Sequence, residues 1–328
     1  MKYIAMSNVN DKLSKLRGLD LQELLVQIEK FDLEYRDTLS LPSNVTFGTE
    51  IEYEKIDYYI VDKFIDENYS SWYSDTDGSL NSGGEISSPI LRDNLKSWNQ
   101  LKSICDFLKN GKANADEMAG GHIHIGANVI GSDVEKWKKF IKVYIAYESI
   151  LFRFFYGEKV KPREKLKRYA PPIADRLYKQ LDKLNCARDI DDIKNILYYS
   201  DRYQAINFSN ISFSSLDSFE EDNTIEFRVP NGTIEEVIWQ NNINAIAKLM
   251  LAPSKNLMDI DYLEYKIKED GVLPEYRYNI VDLQNALEFV DMIFDNNLDK
   301  IYFLKQYIKG FLDIYNKGEH IKPKILVK

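Results

Sequence analysis

The sequence predicts an α+β domain in which helices pack on one side of an antiparallel sheet. Short alternating segments, such as Val45 to Tyr53 and Thr224 to Val229, read as strands. Longer segments with apolar residues at helical spacing separate them, as in Trp98, Leu101, Cys105 and Leu108. The residues suited to chemistry lie on the strands, so the sheet is expected to carry the active site on one face.

Taken in order, residues 1 to about 40 read as helical, with Leu21, Leu24, Leu25, Ile28 and Phe31 at helical spacing. Leu41-Pro42-Ser43-Asn44 ends that segment, and the strand from Val45 follows. Residues 69 to 91 are rich in Ser, Gly and Asp and predict short strands joined by tight turns. A helix is expected over 95–109 and a short strand over 122–127, after the Gly120-Gly121 turn. Ser132 is the expected cap of a long helix reaching about Tyr156. Helices are expected at 173–184 and 190–200, and strands at about 204–213 and 224–229. Thr233 and Glu236 form a capping box for a helix ending near Leu251, and the chain past residue 280 reads as mostly helical. The expected division is a helical segment over 1–43, a catalytic domain over 44–255 and a helical extension over 256–328.

A chain of 328 residues needs no disulfide or metal staple to build a core. Its net charge of −9 repels nucleic acid and anionic membrane alike. Lys159 to Arg168 is a local exception, read as a solvated basic face or as the rim of a site for an anion. Cys105 and Cys186 form no metal knuckle or disulfide framework, and Cys105 reads as a small buried hydrophobe. The most apolar stretch, Ile145 to Tyr156, is interrupted by Glu148 and Arg153 and does not read as a membrane span. A cytoplasmic protein is the expectation, with oligomeric state left open.

Side chains at i and i+2 of a strand share a face. Glu50, Glu52 and Glu54 therefore fall on one face, with Phe47, Ile51 and Tyr53 on the other. One such strand alone reads as a solvated sheet face, but the geometry recurs. His122 and His124 share a face of their strand, as do Glu226 and Arg228, and two of the three histidines lie in that one motif. Glu85 follows Gly83-Gly84. Such carboxylates on one face repel one another unless a cation joins them. Oxygen donors with one or two imidazoles favour magnesium or manganese over zinc. An adjacent arginine suits phosphate oxygens. The residues alone thus point to metal-assisted phosphoryl transfer and leave the acceptor open. No phosphate loop, dinucleotide fingerprint, nucleophile elbow or kinase motif set is present.

The series Phe47-Gly48-Thr49-Glu50-Ile51-Glu52, Asp77-Gly78-Ser79, Gly84-Glu85-Ile86-Ser87-Ser88-Pro89, Gly121-His122-Ile123-His124 and Ile225-Glu226-Phe227-Arg228 resembles the amidoligase family. That family groups with glutamine synthetase and glutamate–cysteine ligase among carboxylate–amine ligases, and the resemblance spans roughly residues 45 to 250. It implies a glutamine-synthetase-like sheet, ATP as co-substrate and Mg2+ or Mn2+. It implies Glu50, Glu52, Glu85, His122 and Glu226 as metal ligands, with His124 facing substrate or phosphate and Arg228 meeting phosphate. Arg168, Arg202 and Asn207 are further candidate contacts to phosphate or carboxylate.

The mechanism implied by the resemblance is transfer of the ATP γ-phosphoryl group to a carboxylate, then attack by an amine on the acyl phosphate. Glu54 and Asp75 are the candidate bases for the attacking ammonium. The partners implied are a small-molecule or peptide carboxylate and an amine, with a modified nucleotide among the conceivable substrates. Two departures stand out. The segment before residue 44 does not resemble the small β domain of glutamine synthetase, and the Glu85 motif offers one glutamate where that enzyme supplies more. A phosphagen-kinase-like phosphotransferase on the same fold, and a catalytically retired binding protein, are the competing readings.

Overall fold

The computed structural model describes residues 21–80, 82–115, 118–255 and 258–310. Its sheet contains β1 (Thr46–Tyr53), β2 (Tyr73–Asp75), β3 (Gly84–Ser87), β4 (Leu91–Arg92), β5 (Gly121–Gly126), β6 (Ile206–Asn207) and β7 (Thr224–Phe227). The order is β2-β3-β1-β5-β7-β6, with β4 also pairing with β1, and every pairing is antiparallel. The sheet is open, with the short strands β2 and β6 at its two ends, which limits the exposed ladder available to another chain.

Around it lie α1 (Leu21–Glu29), α2 (Tyr58–Asn68), α3 (Leu95–Asn110), α4 (Val134–Phe155), α5 (Leu166–Tyr169), α6 (Ala174–Tyr178), α7 (Leu181–Cys186), α8 (Ile190–Leu197), α9 (Glu236–Leu251), α10 (Ile260–Asp270), α11 (Leu283–Ile293) and α12 (Asn297–Tyr307). Helices α3 and α9 pack on the apolar sheet face, and α5 contributes Tyr169 to the cavity on the other. Phe47, Ile51, Tyr53, Ile86, Ile123, Ile125, Ile225 and Phe227 are all buried. Trp98 of α3 stacks on Phe47 at 4.9 Å between ring centroids. Trp239 of α9 lies over Gly121, where a Cβ would come within 3.1 Å of the indole.

Helix α4 is buried along most of its length, and its two charged interruptions have structural duties. Arg153 donates to the carbonyls of Tyr307 at 2.9 Å, Asn279 at 2.7 Å and Lys309 at 2.9 Å. Glu148 accepts from the amides of Ile173 at 2.7 Å and Ala174 at 3.1 Å and from the Tyr278 hydroxyl at 2.7 Å. Burial pushes the Glu148 carboxyl up to about 7. Both residues pin irregular segments to the helix. No described helix is long and apolar enough to cross a membrane.

Several expected elements differ in extent. The first helix stops at Glu29, and the expectation for residues 1–20 lies outside the described residues. Beyond it the backbone is satisfied by side chains: Gln240 accepts from Arg36 N at 2.8 Å, and Asp93 accepts from Leu39 N and Leu41 N at 2.8 Å each. Asp133, not Ser132, caps α4, because the Ser132 hydroxyl donates to Asp217 while the Asp133 carboxylate accepts from Glu135 N at 2.9 Å. The expected helix at 173–184 is broken into α6 and α7, and the next ends at Leu197. The expected strand at 204–213 shrinks to β6, since Asn207 turns the chain by accepting from Ser209 N at 3.0 Å. The capping box does not form. Thr233 accepts from Glu235 N at 3.0 Å, and Glu236 pairs with Lys102 at 3.3 Å and with Lys109. Helix α10 lies within the expected helical extension over 256–328 and buries Leu263, Lys266 and Ile267 of a charged sequence.

Candidate active site

Register decides which side chains meet on the polar face. Glu50 stands opposite His122, Glu52 opposite Glu85, and Asp75 opposite Glu85. His124 stands opposite Glu226, which is itself opposite Asn207. Directly opposed residues share a face with Cβ atoms about 4.5–5.5 Å apart. One patch across β2, β3, β1, β5, β7 and β6 thus gathers carboxylates, two imidazoles and an amide.

His122 is the hub. Its Nδ1 lies 2.7 Å from a Glu50 oxygen and 3.9 Å from Glu226, while its Nε2 lies 3.5 Å from Glu52. Two sets of potential ligand atoms result, Glu50–His122–Glu226 and Glu52–Glu85–His122, each within 4.8 Å of one another. His124 Nε2 lies 3.0 Å from the other Glu50 oxygen and its Nδ1 lies 3.2 Å from Thr224 Oγ1.

The charges respond to this crowding in opposite ways. Burial raises the Glu50 carboxyl, but hydrogen bonds from His122 and His124 outweigh it and hold the group well below the usual carboxylate range. Burial lowers the His124 imidazole, yet its bond to Glu50 leaves it above its ordinary value. Glu85 has no such partner. Burial, reinforced by the negative charges of Glu50 and Glu52, pushes it up to about 7.

Three guanidinium groups border the carboxylates. Arg228 donates to Glu226, and its Nε has no partner among the described residues. The Arg202 and Arg228 guanidinium carbons lie 5.3 Å and 5.7 Å from the Tyr203 ring centre. Arg163, from the basic run, is folded inward and buried. It donates to the carbonyls of Pro230 and, at 3.0 Å, Arg228, while its own amide donates to Asn231 at 2.8 Å. Burial pulls the Arg163 guanidinium down to about 10. Gly120 makes this fold possible, because a Cβ there would stand 2.8 Å from the Arg163 side chain and 3.0 Å from Glu52. Asn207 donates to Glu226 at 2.7 Å and completes the wall.

These groups line a cavity of about 570 Å3. Glu50, Glu52, Glu85, His122, His124, Glu226, Arg228, Arg202, Asn207 and Asp75 all face it. The structure does not bring Glu54 or Arg168 there. Strand β1 ends at Tyr53, Glu54 is bridged by its backbone to Asn114, and its buried side chain does not line the cavity. Arg168 is exposed, with its guanidinium 5.3 Å from the Tyr169 ring centre. The lining also includes Arg163, Asp77, Tyr169 and Tyr203, which strand alternation cannot reach. The only sequence signal for Arg163 was its place in the basic run. A second cavity of about 510 Å3 adjoins the first through Glu50, His124 and Asn210.

The sheet residues between Thr46 and the end of α9 coincide with one family model, described as "Putative amidoligase enzyme", which matches residues 46–250. The chain belongs to the amidoligase family. It is therefore a member of a ligase family, whose name implies carboxylate and amine substrates. No curated protein matches the chain. All five strands from β1 to β5, and both β6 and β7, lie inside the amidoligase match, as do all the carboxylates and imidazoles of the polar face.

Proposed function

We propose that this amidoligase joins a carboxylate to an amine at the expense of ATP, through an acyl phosphate, with two magnesium or manganese ions held on the polar sheet face. The observation that carries this reading is the pair of ligand sets meeting at His122, bordered by Arg163, Arg202 and Arg228. The donor set fits a hard divalent cation, being mostly carboxylate oxygen with one imidazole. A neutral imidazole has one lone pair on its ring nitrogens, so His122 would ligate in one set and donate its other N–H to a carboxylate. Glu50 and Glu226 would hold one ion and Glu52 with Glu85 the other. When bound, such ions neutralise charge on the phosphoryl oxygens and on the departing ADP.

The remaining steps belong to the chain's own residues. Arg228, beside Glu226, and Arg202 orient the γ-phosphate for attack by the substrate carboxylate oxygen, and the P–O bond to ADP breaks. The amine nitrogen then attacks the acyl carbon, the C–O bond to phosphate breaks, and phosphate leaves. Asp75, which lines the cleft opposite Glu85, takes the proton from the nitrogen. The adjoining cavity suits the nucleoside. Gly48 and Gly126 leave part of it without side chains, Pro89 and Ile90 give an apolar wall, and Glu221 and Asp222 offer acceptors for ribose hydroxyls.

The test is to incubate the purified protein with ATP and magnesium, alone and with pools of carboxylates and amines. ADP and free phosphate that appear only with a carboxylate, and a hydroxamate on adding hydroxylamine, are the expected results. AMP and pyrophosphate would replace this mechanism with adenylation. A phosphorylated acceptor without free phosphate would make the protein a phosphotransferase.

A further inference from the structure

A third cavity, of about 160 Å3, opens beside the edge strand β6 and shares Asn207 and Ser209 with the catalytic cleft. Its character differs from that of the cleft. Leu197, Tyr198, Phe208, Ile211 and Phe213 supply an apolar lining, with Tyr199 at the rim. Tyr198 is 73% exposed and Tyr199 47% exposed, so both rings are accessible from solvent at the mouth of the pocket. The rim is also organised. The Arg176 guanidinium carbon sits 5.1 Å from the Tyr199 ring centre, and its Nη2 donates to Gln204 at 3.0 Å.

Asn207 is the partition between the two spaces. Its Nδ2 donates to Glu226 at 2.7 Å, and its Oδ1 accepts from Ser209 N at 3.0 Å. An apolar pocket is therefore one side chain away from the candidate metal and arginine cluster. A space of roughly 150 Å3 is large enough to take a benzene ring, and Lys194 and Gln204 add polar groups to its lining.

We infer that this pocket is a specificity site for the carboxylate substrate, and that this substrate carries a large apolar group, aromatic or branched, next to its carboxyl carbon. The inference rests on the ligase reading for the identity of the reacting group. The carboxylate lies in the cleft beside the γ-phosphate that Arg202 and Arg228 orient, and the apolar group passes Asn207 into the pocket. A bare short-chain acid fills the polar cleft and leaves the pocket to water. The apolar substituent adds buried area and hence affinity.

Calorimetric titration of the full chain, with magnesium present, compares N-acetylphenylalanine with N-acetylglycine. The expected result is roughly tenfold or more tighter binding of the aromatic compound. Ile211→Trp fills the pocket from a half-buried position, and Tyr199→Ala removes an exposed wall. Each is expected to erase most of the preference while leaving N-acetylglycine affinity unchanged, and the second variant serves if the first does not fold. Equal affinities in the native chain would overturn the inference, as would no binding of N-acetylphenylalanine or a preference that survives both substitutions. The ligation reading is judged separately by ADP and phosphate release. Preference without turnover keeps the pocket and removes the reaction; turnover without preference does the reverse.

Discussion

Two rows of buried polar side chains lie in this molecule, one on the sheet and one on helix α9, and they are built on opposite principles. The α9 row is Gln240, Asn241, Asn242 and Asn244, neutral amides that are almost fully buried. Gln240 exchanges hydrogen bonds with the backbone of Arg36, at 2.8 Å and 2.7 Å. Asn241 donates to Tyr302 O at 3.0 Å and to Gln306 at 2.9 Å, and Gln306 donates to Asn242 at 2.8 Å. Asn244 alone of the four finds no partner among the described residues. Asn244 and the Asn241 Oδ1 aside, the row finds its partners within the fold, and it fastens the segment near Arg36 and helix α12 to the core.

The sheet row is charged and incomplete. Glu50, Glu52, Glu85 and Glu226 are four carboxylates facing one cavity, and Glu85 is forced toward its protonated form. Neutral amides paired with backbone and with one another fix a fold, whereas carboxylates crowded on one face, only partly offset by His122, His124 and Arg228, suit a cation. The difference teaches which buried polar residues to assign to structure and which to chemistry.

The largest effect follows from breaking the sheet row. Glu226→Gln removes the carboxylate that holds Arg228 and Asn207 in place. Metal-dependent ATP turnover is expected to fall by more than the roughly 10–100-fold typical of losing a partner behind a metal ligand. Circular dichroism should report an intact fold. Turnover within a few-fold of the native rate would remove Glu226 from the site.

Breaking the α9 row should do the converse. Asn241→Ala leaves Tyr302 O and Gln306 Oε1 without the donor they share, at a cost of about 1–3 kcal/mol in unfolding free energy. Turnover per folded molecule is expected to stay within about twofold, since Asn241 lines none of the three cavities described. A denaturant titration read beside a rate assay checks both. A stable variant with damaged turnover would reverse the assignment of the two rows.

The two rows also differ in how far the sequence reveals them. A strand repeats every two residues, so Glu50 and Glu52, His122 and His124, and Glu226 and Arg228 fall on one face from their spacing alone. Pairing of the strands then needed only the sheet order, and Glu85 and Asp75 followed from register. Glu54 shows the limit of that rule. Alternation places it with Glu50 and Glu52, but the strand ends before it and the chain turns at Lys55, whose φ is +67°. Arg163 and the apolar pocket beside β6 were illegible because each depends on loops that return from far along the chain. The α9 amides were illegible for another reason: neutral amides on a helix look like a solvated face until the partners arrive. Ser132 and Thr233 fall in the same class, since their hydroxyls donate to Asp217 and Glu158, partners that local sequence does not disclose.

A third effect separates Glu85 of the sheet row from Glu148 of helix α4 by pH. Two carboxyls, Glu85 and Glu148, are both pushed up to about 7, but for different reasons. Glu148 is raised by burial within the helical layer, Glu85 by burial together with the charges of Glu50 and Glu52. A carboxyl raised in the folded state binds more protons there than in the unfolded chain, so stability falls as pH rises. The loss runs from the ordinary carboxylate value of 4.5 up to about 7 for each group, with a slope of at most about 1.4 kcal/mol per pH unit apiece. Magnesium distinguishes them. A cation bound at the sheet favours the ionised form of Glu85 and should cancel its share of the slope, while leaving the Glu148 share in place. Glu148→Gln should remove the second share with or without magnesium. Melting temperatures between pH 5 and 8, with and without the ion, for the native chain and Glu148→Gln, measure all four slopes. If magnesium leaves the slope unchanged in both proteins, the crowding at Glu85 is not relieved by a cation, and the sheet row loses its metal.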